Sequence, residues 1–109
     1  MSESLALVQG TLDVLVLKAV SWGPVHGYGV SRLIDEKSRG TLVVDDAALY
    51  QALHRLARQG YVTSSWGLSA NNRRARFYEL TARGRGRLSR DIAWWGEYAA
   101  AMNRVLGIA

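Results

Sequence analysis

The chain has 109 residues, 49% of them hydrophobic, a formal net charge of +5 and no cysteine. That length suits one domain with a modest core, which oligomerisation often supplements. No disulfide framework or thiolate metal site is available, and no apolar run reaches the ~18 residues of a membrane-crossing helix.

Met1 to Gly10 has no basic segment followed by an apolar one, so no secretory leader is expected and the compartment is read as cytoplasmic. Ser2 to Ser21 reads as a first helical region with Leu12, Leu15, Val16 and Ala19 inward. Leu5 and Val8 lie ahead of that face and are expected to pack on a second chain. Trp22-Gly23-Pro24 breaks the helix. His26 to Lys37 reads as a second helix, with Val30, Leu33 and Ile34 inward. Its N-terminus offers free N–H groups to a phosphate, with Tyr28, Ser31 and Arg32 as backbone contacts. Tyr28 has a competing role as a half-buried packing residue. His26 has no His, Cys or carboxylate at ligand spacing, so capping or packing is expected and no metal.

Ser38-Arg39-Gly40 is a turn, and Thr41 to Val44 a short strand. Asp45 or Asp46 caps a third helix that ends at Gly60. In that helix Leu49, Leu53 and Leu56 form an apolar stripe. Gln51, His54 and Arg58 fall opposite, with Ala47 one turn earlier, a pattern that suits the DNA major groove. Tyr50 is on the flank and is read as a phosphate contact. Arg55 is a further candidate DNA contact, but it is nearer the leucine face and has an ion pair with Asp46 or the wing as its alternative. Tyr61 to Trp66 alternates as a half-exposed strand does. Gly67 to Ala75 reads as a hairpin tip, and Arg76 to Leu80 returns. Arg73, Arg74 and Arg76 are the expected phosphate or minor-groove contacts of this wing. Twelve of the fourteen basic residues are Arg, and seven lie between Arg73 and Arg90, opposed there only by Glu79. Such a concentration favours a polyanion, with a solvated charged face as the plain alternative.

Thr81 caps a last helix, Ala82 to Leu106. Leu88, Ile92, Trp95, Ala99, Met102 and Leu106 step by 4, 3, 4, 3, 4, a heptad seam that a partner chain would cover. Folding back onto the protomer's own core is the alternative. The fold class is therefore mainly α with a small β-wing. Residues 1–81 form a winged helix-turn-helix, and 82–109 a dimerisation helix of the same structural unit.

Three motifs in order carry a resemblance. His26-Gly27-Tyr28 opens the second helix. Leu49-Tyr50-x-x-Leu53-x-Arg55-Leu56 precedes Gly60. Arg73-Arg74-Ala75-Arg76-Phe77-Tyr78-x-Leu80-Thr81-x-x-Gly84 spans the wing and the next helix. Together they resemble the PadR family of bacterial transcriptional regulators, in its shorter size class. Gln51 stands where many members have Pro, and Ala57-Arg58 replaces a more acidic pattern.

The resemblance implies a homodimeric repressor, paired through the terminal helix and part of the first. It implies a palindromic double-stranded DNA operator near its own gene or a transporter gene. Some members bind planar aromatic compounds between subunits, stacked on a terminal-helix tryptophan. Trp95 falls at that position, with Trp94 and Tyr98 beside it, so a small aromatic effector is carried over as an expectation. Plain dimer core is the alternative for Trp95. No Ser-His-Asp pattern, phosphate-binding glycine loop or metal-spaced cluster is present, so neither an enzyme nor a cofactor is expected. The competing functions are a dimeric small-molecule-binding protein and an interaction adaptor with weak DNA affinity.

Overall fold

The computed structural model describes residues 5–7 and 10–108. In chain order they form β1 (Leu5–Ala6), α1 (Leu12–Val20), β2 (Val25–His26), α2 (Gly27–Lys37), β3 (Leu42–Val43), α3 (Asp46–Arg58), β4 (Val62–Leu68), β5 (Arg74–Leu80) and α4 (Ala82–Leu106). A three-stranded antiparallel sheet has the order β2-β5-β4, and β1 pairs with β3 in parallel. Three helices, a hairpin and a long final helix make the winged helix-turn-helix expected from the sequence.

The first helix corrects the sequence reading. It starts at Leu12, and Leu5–Ala6 is extended against Leu42–Val43. The strand at Thr41–Val44 has backbone groups that need a partner, and the N-terminal segment supplies them. Val8 lies outside the described residues. The turn into α1 passes through Gly10 at φ +90°.

The core joins one face of every helix to the base of the hairpin. Val16, Leu17 and Val20 of α1 meet Val30 and Ile34 of α2, and Leu49, Leu53 and Leu56 of α3. Val62, Tyr78 and Leu88 close it from β4, β5 and α4. Burying each leucine contributes about 1.5–3 kcal/mol. The caps follow local chemistry. Asp45 Oδ2 accepts from the Ala48 N–H at 2.9 Å, and Thr81 Oγ1 from the Gly84 N–H at 2.9 Å. At the other end of α3, Gly60 sits at φ +81° while the Tyr61 N–H donates to the Leu56 carbonyl at 2.9 Å. That is a Schellman stop, and it turns the chain directly into the wing.

The start of α4 is fitted to the wing by a missing methyl group. A Cβ on Gly84 would stand 2.0 Å from the Tyr61 carbonyl oxygen. Only glycine lets the helix lie flush on the chain just ahead of β4. One turn later Leu88 is 7% exposed and belongs to the protomer's own core. It therefore leaves the partner seam to which the heptad count assigned it.

Candidate nucleic-acid interface

The candidate interface is assembled from α3, the start of α2 and the wing. Burial splits α3 as its periodicity predicts. Leu49, Ala52, Leu53 and Leu56 are buried, while Ala47, Tyr50, Gln51, His54 and Arg58 are exposed. Tyr50 lies on the flank against the first turn of α2. A Cβ on Gly27 would come within 2.6 Å of its ring, so the glycine makes room for this contact.

His26 caps α2, and its Nδ1 accepts from the Gly29 N–H at 3.0 Å. Its ring stacks on Tyr28 with centroids 6.2 Å apart and meets Phe77 edge-on at 5.6 Å. The histidine is thus a cap and a packing group. No cluster of metal-ligating side chains occurs among the described residues. Tyr28 is 64% exposed, which places it outside the core. Arg32 reaches Glu36 at 3.4 Å on the open surface. Such an exposed pair is worth about 0–1 kcal/mol and exchanges readily for another anion. Tyr28 and Arg32 face Asn71 and Arg73 of the wing tip across a groove of about 670 Å³.

The wing differs from its sequence outline in length. Its strands pair in unbroken register from Val62↔Leu80 to Leu68↔Arg74, and residues 69–73 make the tip. The Ser69 N–H donates to the Arg73 carbonyl at 2.8 Å, and Asn72 takes φ +60°. Arg73 alone of the three arginines is at the tip, and Arg74 and Arg76 are on β5. Side chains alternate along a strand, so the face that buries Tyr78 at the wing's base carries Arg76 and Arg74 farther out. Trp66 pairs with Arg76 on that face. The Arg74 and Arg76 guanidinium carbons lie 4.7 and 5.1 Å from the Trp66 ring centroid. Arg76 Nε also donates to Ser64 Oγ at 3.2 Å. Trp66 was not among the residues expected from sequence, although counting the strand register back from Leu80 reaches it. Tyr78, beneath these arginines, has its phenol pushed above the usual value of 10.0 by burial. Arg76 pulls it the other way, and Tyr50 adds to the rise.

Arg55 is corrected by the structure. Its guanidinium is paired with Asp13 of α1 rather than with Asp46 or the wing. Asp13 Oδ2 also takes Arg87 of α4 at 3.1 Å, and Arg87 reaches Asp91 at 3.2 Å. One carboxylate thereby ties α1, α3 and α4 together. Arg83 Nε donates to the Gln59 carbonyl at 3.0 Å, and Arg83 and Arg87 both cover the Tyr61 ring.

On α4, Trp94 and Tyr98 stack with centroids 5.1 Å apart, and Trp95 leans on Tyr98 at 6.1 Å. Trp94 is 60% exposed and Trp95 43%. Ile92, Met102 and Leu106 are exposed as well, and Ala99 is half-buried. No helix among the described residues is long and apolar enough to cross a membrane.

The family model for the transcriptional regulator PadR-like family matches residues 16–90, more than half of the chain, from within α1 to the first turns of α4. The chain is a PadR-like regulator. It is similar to a transcriptional regulator from Clostridium thermocellum, 26% identical, covering 88% of this chain and 90% of that one with a TM-score of 0.79. A PadR-like transcriptional regulator from Bacillus cereus gives 21% identity, 90% and 93% coverage and a TM-score of 0.76. Bacillus subtilis PadR, solved in complex with operator DNA, gives 20% identity and a TM-score of 0.67, covering 75% of this chain and 46% of that one. An uncharacterised protein from Lysinibacillus sphaericus is 23% identical over 91 residues, 84% of each chain. PadR-like proteins are regulators of transcription and not enzymes.

Proposed function

We propose that this PadR-like regulator acts as a homodimeric repressor that binds a palindromic operator in double-stranded DNA. The observation that carries the reading is the two-faced α3, whose leucines are buried while Ala47, Gln51, His54 and Arg58 are open beside a basic wing. Gln51 and His54 face base edges, with Ala47 and Arg58 at the two ends of the contact. Tyr28, Ser31, Arg32 and Tyr50 meet backbone phosphates, and Arg73, Arg74 and Arg76 meet the backbone or the neighbouring minor groove. Arg55 leaves this set because Asp13 holds it. The operator complex of Bacillus subtilis PadR supports the same use of this fold.

Dimerisation through α4 is supported by the exposed row Ile92, Trp95, Met102 and Leu106. The exposed Trp94, Trp95 and Tyr98 favour a second element of the reading. A planar aromatic effector between the subunits changes the spacing of the two α3 helices, and the operator rejects the new spacing. Fluorescence anisotropy tests the DNA reading, using the duplex upstream of the protein's own gene against a scrambled duplex at two salt concentrations. Preference for the first, weakened by salt, is the expected result. Salt-insensitive failure to bind any duplex overturns it in favour of an interaction adaptor.

A further inference from the structure

A second pocket, about 230 Å³, opens in the seam between α1 and α2. Its walls are Leu15 and Ala19 of α1, Leu33 and Ile34 of α2, Leu42 of β3, and Ser38 between α2 and β3. Its rim is Trp22, Lys18 and Lys37. These are the only two lysines in a chain with fourteen basic residues. Both converge on one ring, each Nζ standing 5.2 Å from the Trp22 centroid. The two ammonium groups are thus within about one Debye length of each other, ~10 Å at 0.1 M salt. The ion pairs among the described residues leave both without a carboxylate. The Trp22 face offsets part of their repulsion.

From this geometry we infer that the pocket binds a small amphipathic monocarboxylate, its tail against Leu15, Leu33 and Leu42 and its carboxylate between Lys18 and Lys37. The walls are apolar apart from Ser38, whose hydroxyl donates to the Asp35 carbonyl at 3.3 Å and accepts from the Leu42 N–H at 3.1 Å. That suits an acyl or aryl tail and leaves little for the further oxygens of a phosphate. The volume is below the ~300–1,000 Å³ of drug-sized sites, so the tail is short. None of the three rim residues belongs to the proposed DNA contacts or to the aromatic group of α4. The inference therefore stands apart from the repressor reading.

Isothermal titration of the full chain with sodium octanoate tests it, with 1-octanol and octylammonium as probes of equal length. One octanoate per chain is expected, bound roughly tenfold more tightly than octanol, with octylammonium weakest. The double variant Lys18→Met, Lys37→Met reduces octanoate to the level of octanol, while Trp94→Phe, Trp95→Phe leaves it unchanged. Equal affinity for octanoate and octanol overturns the inference. So does loss of octanoate binding in the Trp94/Trp95 variant alone. Absence of saturable octanoate binding to the unmodified chain overturns it too.

Discussion

Two places in this protein stack a pair of arginines on one aromatic ring, and they are put to different uses. At the root of α4, Arg83 and Arg87 cover Tyr61. Their remaining donors go to the Gln59 carbonyl, Asp13 and Asp91. On the wing, Arg74 and Arg76 cover Trp66, which is 55% exposed, and the hydroxyl of Ser64 is the polar partner the structure gives them. The first pair is consumed in holding elements together. The second is held in place by its ring with most of its hydrogen-bonding capacity open to an incoming anion. Arginine density between residues 73 and 90 therefore overstates the charge available to DNA, and the partners of each guanidinium decide which residues count.

The comparison is broken most severely at the root. Gly84→Ala drives a methyl into the Tyr61 carbonyl, so urea unfolding is expected to lose about 3 kcal/mol or more. Asp13→Asn leaves Arg55 and Arg87 facing a neutral amide. The site is only partly exposed, so a loss of about 1–2 kcal/mol is expected in the same measurement. On the wing the effects move from stability to binding. Arg74→Ala is expected to weaken every duplex by about 1 kcal/mol and to lower the salt slope by about 1, with stability within ~0.5 kcal/mol of the parent. Trp66→Ala is expected to do the same more weakly by releasing both guanidiniums. A wing variant that unfolds the protein, or an Asp13 variant that spares stability and abolishes binding, would reverse the two assignments. The smallest effect is at Tyr78. Its folded-state pKa is raised, so the native state keeps a proton that the unfolded chain sheds. Its contribution is intact below the unfolded value and is lost as pH rises through and above it. Stability is expected to decline from about pH 10, the ordinary tyrosine value, and Tyr78→Phe should flatten that decline.

Much of the fold is local chemistry, and local chemistry is readable. Asp45 and Thr81 cap their helices as their residue types predict, Gly60 stops α3, and the leucine spacing of α3 identifies its buried face. Several features of the candidate site depend on distances that sequence spacing does not contain. Asp13 meets partners 42 and 74 positions away, and nothing around it signals either. Leu88 fits the heptad count, but the count carries no information about where the protomer's own core ends. The wing's arginines were visible as charges, yet their presentation depends on the hairpin register. A tip of residues 69–73 instead of a longer one moves Arg74 and Arg76 onto a strand beside Trp66. The extended start at Leu5–Ala6 was hidden because its reason is the unpaired edge of a strand 37 positions later.

The missing methyl at Gly84 also makes α4 a lever. The helix runs 25 residues, about 37 Å at 1.5 Å per residue. Tilting it by about 10° at the root sweeps its far end through roughly 6 Å by the same geometry. The root packs on the Tyr61 carbonyl and on the Leu80 side chain. The pivot of that swing stands on Tyr61, one residue before the first strand of the wing begins at Val62.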